Sequence, residues 1–274
     1  MHKSSEALLP MVHLVGAGPG DPELLTLKAV RVLQQATVAL VDDLANPGCL
    51  AHLGVDCRVI PVGKRGGCAS TPQAFIERLM VSEALRGERV VRLKGGDPLV
   101  FGRAGEEIAA LRAANVHVEI VPGITAGVAA AAAVGVSLTH RRHAPGVALV
   151  TGHRQPGGSP PNWEALAQSG LTLVIYMGVA EASTLESGLL EGGLSAGTPV
   201  LLVQGASSPQ ERRIATRLGT LCRAIHDEQV GSPCVMLIGE AMQVALSSLP
   251  EWSDTLPPQK AADVGEARWR KVAV

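Results

Sequence analysis

Apolar and polar positions along the chain alternate between two periods. Short, nearly continuous apolar runs at 12–15, 37–41, 58–62, 90–93 and 116–121 read as strands buried on both faces. Between them the spacing opens to three and four residues. Leu24, Leu27, Val30 and Leu33 predict a helix over 24–35. Phe75, Leu79 and Met80 predict another, begun at Thr71 as cap with Pro72 in its first turn. A third helical pattern runs from Glu106 through Ile108 to Leu111. Strands separated by helices of this length predict crossover connections and an α/β fold of two domains with mostly parallel sheets. The second half repeats the alternation, with strands at 148–151, 171–177, 200–204 and 234–238, a helix over 181–190, and an alanine-rich helix opened by Ile124-Thr125-Ala126-Gly127. A break at Pro122-Gly123 divides the chain into domains at 10–122 and 123–249. Residues 250–274, with Pro257, Pro258 and few apolar positions, read as a loosely held tail.

In such a fold the carboxyl ends of the strands carry the ligand loops. Here those ends are Gly16-Ala17-Gly18-Pro19-Gly20-Asp21-Pro22, Asp42-Asp43, Gly63-Lys64-Arg65 and Gly95-Gly96-Asp97-Pro98, the last running on to Gly102-Arg103. The first is not a dinucleotide fingerprint, because Asp21 stands where the third glycine is required and two prolines interrupt the receiving helix. Nor is Gly63-Lys64 a phosphate loop, since Arg65 replaces the required serine or threonine. Glycine loops that fit neither phosphate motif suit a ligand without phosphate, or simply turn the chain. The 95–107 stretch adds Asp97, Arg103 and Glu106, more charge than a plain turn needs.

Composition narrows the class further. The 274 residues are 46% hydrophobic with a formal net charge of -1, and only 2% are aromatic, which speaks against a nucleic-acid surface of basic and stacking side chains. No apolar run reaches the ~18 residues of a membrane span, and the first twenty residues lack the pattern of a signal peptide. Five cysteines without Cys-x-x-Cys spacing fit a reducing cytoplasm rather than a disulfide framework. His140 and His143 have no third ligand near them in sequence, so no metal site is expected.

Six motifs in register then point to one family: Val15 to Pro22, Val62-Gly63-Lys64-Arg65, Arg92-Leu93-Lys94-Gly95-Gly96-Asp97-Pro98 with Phe101-Gly102-Arg103, Val121-Pro122-Gly123-Ile124-Thr125-Ala126, Leu138-Thr139-His140-Arg141 and Tyr176-Met177-Gly178. From about residue 12 to 245 the chain resembles the uroporphyrinogen-III C-methyltransferases of the tetrapyrrole methylase superfamily. The resemblance implies a homodimer that binds S-adenosylmethionine between two domains and methylates a tetrapyrrole at two ring carbons, C2 and C7, giving precorrin-2 for sirohaem, cobalamin or haem d1 synthesis. It implies cofactor contacts from Pro19, Gly95, Gly96, Asp97, Val100, Thr125, Ala126, Met177 and Ala206. Proton transfer falls to Asp42 and Lys64, with Arg103 also at the reacting centre, and substrate holding to Arg103, Glu106, Arg141 and Met177. The chain departs from the family at Val41, where a tyrosine is usual, and carries a second acid at Asp43, which leaves open which carboxylate faces the site. It also lacks the usual histidine or aromatic residue over 67–70, and Ala104 replaces a glycine.

These residue types suit the chemistry. Charge-assisted arginine–carboxylate bonds contribute ~1.5–3 kcal/mol each, and arginine outnumbers lysine eighteen to six in this chain. Two rivals stand beside this reading: a superfamily member acting on a later corrinoid precursor, a protein or RNA, and a binding protein whose catalytic site has decayed.

Overall fold

The computed structural model describes residues 10–63, 71–153 and 157–246. Five strands, β1 (Met11–Gly16), β2 (Val38–Val41), β3 (Arg58–Pro61), β4 (Val90–Lys94) and β5 (His117–Val121), form a first sheet in the order β3-β2-β4-β1-β5. Every pairing in it is parallel, with Val12 beside both Val90 and Val118. Helix α1 (Leu27–Gln35) covers one face through Ala29 and Leu33. Helices α2 (Gln73–Leu85) and α3 (Ala104–Ala113) cover the other through Ile76, Met80 and Leu111. The central strands β1, β2 and β4 are therefore covered on both faces, which is why they read as apolar runs rather than as alternating ones, while the edge strands β3 and β5 are more exposed.

The second sheet holds β6 (Val147–Thr151), β7 (Thr172–Tyr176), β8 (Pro199–Gln204), β9 (Arg212–Arg217) and β10 (Cys234–Ile238), in the order β6-β7-β10-β8-β9. Helix α4 (Ala126–Val134) and the short α8 (Gln243–Leu246) pack on one face. The other carries α5 (Trp163–Ala167), α6 (Ala182–Glu191) and α7 (Leu221–Asp227). The two-sheet α/β architecture is as expected, and parallel pairing predominates over the whole chain but not within this sheet. Only β6–β7 is parallel there, while β7–β10, β10–β8 and β8–β9 are antiparallel. A β8–β9 connection of seven residues is too short for a parallel crossover, which fixes that pair as antiparallel. Strands β6, β7 and β8 still run the same way, so the carboxyl ends of β7 and β8 open on one edge.

Local chemistry moves two helix starts. The first helix begins at Leu27 instead of residue 24, because the Thr26 hydroxyl accepts the Ala29 N–H and caps it there; a 3₁₀ turn at Pro22–Leu24 precedes it. Pro72, not Thr71, is the N-cap of α2, and the Thr71 hydroxyl instead donates to the Gly63 carbonyl, 3.4 Å away. Strand β9 and helices α5 and α7 were not evident in the periodicity. Among the described residues no helix is long and apolar enough to cross a membrane. The expected tail at 250–274 lies outside the described residues.

Candidate active site

The loops after β1 and β4 are neighbours because their strands are, and they join further. The Gly96 N–H donates to the Gly18 carbonyl at 2.7 Å, and the Gly18 N–H returns a bond to Gly96 at 3.2 Å. A third loop crosses them so closely that a Cβ on Gly123 would lie 2.3 Å from the Gly96 carbonyl and 2.9 Å from the Gly16 Cα. Only glycine allows three backbones to meet in this way. Asp97 fastens the crossing: one carboxylate oxygen accepts the Leu99 N–H at 2.8 Å, the other the Gly123 N–H at 3.0 Å. A turn-holding role is thus visible for Asp97 alongside the cofactor contact expected of it.

The second sheet's loops close over this crossing. The Asp21 N–H donates to the Ser207 hydroxyl, which brings the loop of Pro19 against that of Ala206. Val100, Ile124 and Ala126 pack onto the core of the second sheet. Tyr176, at the end of β7, bonds Thr125 through its hydroxyl and lies against the Phe101 ring, with centroids 4.9 Å apart. The geometry therefore gathers the loops of Pro19, Gly95, Gly96, Asp97, Val100, Thr125, Ala126, Met177 and Ala206 at one meeting of two sheet edges.

Backbone strain gathers there too. Six non-glycine residues among those described have positive φ, and four of them, Phe101, Arg103, Met177 and Ser207, lie in these loops. Each such conformation costs about 1–3 kcal/mol and persists only when its surroundings impose it, as they do at ligand sites. The Met177 thioether, Phe101 and Leu99 remain solvent-accessible around the crossing. Apart from the Asp97 carboxylate, the polar groups this part of the site offers are neutral: backbone amides and carbonyls, a hydroxyl and a thioether. With a glycine cradle that any Cβ would fill, they fit an adenosyl sulfonium group better than a phosphate-bearing one.

A charged annex lies beneath. Alternate positions on β4 point Val90, Arg92 and Lys94 to one face, where α3 places Glu107. The Lys94 Nζ donates to both Glu107 oxygens at 2.9 and 3.0 Å, and the Arg92 Nε to one of them at 3.1 Å. All three side chains are almost wholly buried. Burial pushes the Lys94 ammonium below its usual range and the Arg92 charge adds to this, with Glu107 opposing both. The Arg92 Nη2 then reaches the Asp42 Oδ1 at 2.9 Å. Of the paired acids, Asp42 is the one tied inward; Asp43 is exposed, its carboxylate packed over Gly63.

Arg103 occupies the N-cap of α3 in the left-handed region and grips Glu106 bidentately, Nε to Oε1 at 2.9 Å and Nη2 to Oε2 at 2.6 Å. These bonds hold Arg103 above and Glu106 below their usual ranges. Arg141 is exposed in the turn closed by the His140–Ala144 bridge, and no hydrogen bond or ion pair among the described residues ties it to the others. Lys64 lies outside the described residues. Sequence reasoning assigned no role to Arg92, Lys94, Glu107, Phe101 or Tyr176. The available signal was two cations at alternate positions of an otherwise apolar strand, and one of the chain's two phenylalanines and its single tyrosine beside the glycine motifs.

Comparison with known proteins agrees with this geometry. The sequence model described as Tetrapyrrole (Corrin/Porphyrin) Methylases matches residues 11–222. A uroporphyrinogen-III C-methyltransferase of Pseudomonas aeruginosa is 53% identical over 236 residues, 86% of this chain and 96% of its own. The crystal structure of a uroporphyrin-III C-methyltransferase from Thermus thermophilus complexed with S-adenyl homocysteine is 42% identical with a TM-score of 0.73, covering 85% of this chain and 94% of that one. A cobalt precorrin-4 methyltransferase structure is 28% identical with a TM-score of 0.76, over 85% and 95% of the two chains. On the length of these matches and the glycine crossing they span, the chain belongs to the tetrapyrrole (corrin/porphyrin) methylases.

Proposed function

We propose that this protein is an S-adenosylmethionine-dependent C-methyltransferase that methylates uroporphyrinogen III at C2 and C7 to give precorrin-2. The observation that carries the reading is the glycine crossing of three loops under the edge of the second sheet, in a chain 53% identical to a uroporphyrinogen-III C-methyltransferase along nearly all of that protein's length. The later-corrinoid alternative has the weaker support of a 28% identical precorrin-4 methyltransferase.

In this reading two domains meet near Pro122, with the cofactor held between Pro19, Gly95 to Asp97, Val100, Thr125, Ala126, Met177 and Ala206. When bound, it supplies an electrophilic methyl group on a sulfonium. The loops hold that methyl in line with a ring carbon, and positioning of this kind contributes ~7–11 kcal/mol toward the barrier. Arg103 and Arg141 take substrate carboxylates. The exposed Arg103–Glu106 pair is worth at most about 1 kcal/mol, so Arg103 can turn to a substrate acid at little cost. Glu106, which can only accept, suits pyrrole N–H groups better than acid side chains. Asp42, oriented by Arg92, is the base that takes the proton released after methylation, and Lys64 is its partner in proton transfer. The family resemblance further supports a homodimer, and the four cysteines among the described residues, all free, support a reducing cytoplasm as its place of work.

Incubation with S-adenosylmethionine and uroporphyrinogen III, followed by mass spectrometry, tests the reading. Two added methyl groups are expected, and one or none would overturn it. In the same assay Arg103→Lys keeps the charge but loses the planar fork. It should raise the tetrapyrrole KM or lower kcat roughly tenfold while stability stays within ~0.5 kcal/mol. A large fall in melting temperature with normal specific activity would make Arg103 structural.

A further inference from the structure

We infer that Tyr176 is the positioning residue that sets the shape of the cofactor cleft, acting through its hydroxyl on Thr125 and the start of α4 and through its ring on Phe101. The inference rests on the cofactor site proposed above. The hydroxyl of Tyr176, the chain's single tyrosine, lies 2.9 Å from the Gly127 amide nitrogen, whose N–H it accepts, and 2.7 Å from the Thr125 Oγ1, to which it can then donate. Those partners flank Ala126, so one phenol ties the Thr125 side chain and the Gly127 backbone on either side of it. It also satisfies one of the N–H groups that a helix leaves unpaired at its start.

The fit is close enough that a Cβ on Gly127 would lie 2.5 Å from that hydroxyl. The other side of the ring meets Phe101, held at φ 53° in the loop that follows Gly95-Gly96-Asp97. The next residue is Met177, at φ 52°. Loops from both sheets, three in all, thus register on one side chain that is itself 9% exposed. A core packing role would need the ring alone. The paired hydroxyl bonds, one to the Gly127 backbone and one to the Thr125 side chain, are what packing does not require.

Tyr176→Phe keeps the ring and removes the hydroxyl. Calorimetric titration with S-adenosylhomocysteine should show a Kd about tenfold higher, with one site per folded chain retained. The KM for S-adenosylmethionine should rise in step, while kcat and the tetrapyrrole KM stay within about twofold. Phe101→Leu, which removes the ring partner and leaves the hydroxyl bonds in place, should raise the Kd severalfold; it carries the test if Tyr176→Phe folds poorly, and an unchanged Kd there would count against the inference. An unchanged Kd in Tyr176→Phe, or a binding stoichiometry that falls while the remaining sites keep wild-type affinity, would overturn the inference and leave the cofactor site standing. Failure of the wild-type protein to bind S-adenosylhomocysteine would overturn both.

Discussion

Replacing Glu107 with leucine is expected to destabilise the protein by about 3–5 kcal/mol, a loss of roughly 10 °C in melting temperature for a chain of this size. Glu107 is 0% exposed and is the shared acceptor of Lys94 and Arg92. Its removal leaves Lys94 as a buried cation with no counter-charge, while Arg92 keeps Asp42. Lys94→Met/Glu107→Leu removes one cation with one anion and leaves the Arg92–Asp42 pair intact, so the double variant should be more stable than Glu107→Leu alone. The deficit should also depend on pH. Without Glu107, folded Lys94 gives up its proton at still lower pH than the unfolded chain does. Between those two values the unfolded state binds more protons, and stability therefore rises with pH. Denaturant unfolding should show a larger deficit in neutral than in alkaline buffer. A single variant no less stable than the double, with a deficit independent of pH, would mean that the cluster does not carry buried charge.

The second large effect is expected at Gly96, where valine should abolish binding of S-adenosylhomocysteine. Gly96 has φ +66°, and a Cβ there meets nothing nearer than the Thr125 Cα at 3.8 Å. The space that the new side chain would enter is thus the gap between the 95–97 and 124–126 loops, where the proposed cofactor site lies. The backbone penalty for a non-glycine residue in this conformation is about 1–2 kcal/mol. The protein should therefore remain folded while a branched side chain fills the cleft. Gly96→Asn separates the two contributions, since asparagine tolerates the conformation without branching at Cβ. A folded Gly96→Val protein with wild-type affinity would move the cofactor out of this gap.

Much of this site was legible in the sequence because glycine and proline leave strong marks. Gly16 to Pro22, Gly95 to Pro98 and Pro122-Gly123 each sat at the end of an apolar run, and the parallel first sheet brings all three to one edge. What the sequence hid has physical causes. The second sheet turns antiparallel because β10 is inserted between β7 and β8, and no local pattern records which strand will sit beside which. Strand β9 carries Arg212, Arg213 and Arg217, which conceal its buried Ile214, Ala215 and Thr216. Helix α5 has five residues and is capped by Asn162, whose Oδ1 accepts the Ala165 N–H; so short a helix shows no period. Glu107 read as the polar residue of a helix start, and only the fold reveals that Arg92 and Lys94 lie on the strand face beneath it.

The position of S-adenosylhomocysteine in a crystal of this protein tests the central claim most directly. The expected result is one molecule per chain lodged at the glycine crossing, in contact with Gly95-Gly96, Thr125-Ala126 and Met177, with the Tyr176 hydroxyl still on Gly127. A molecule bound only away from these loops, in a protein that turns over S-adenosylmethionine normally, would contradict the claim.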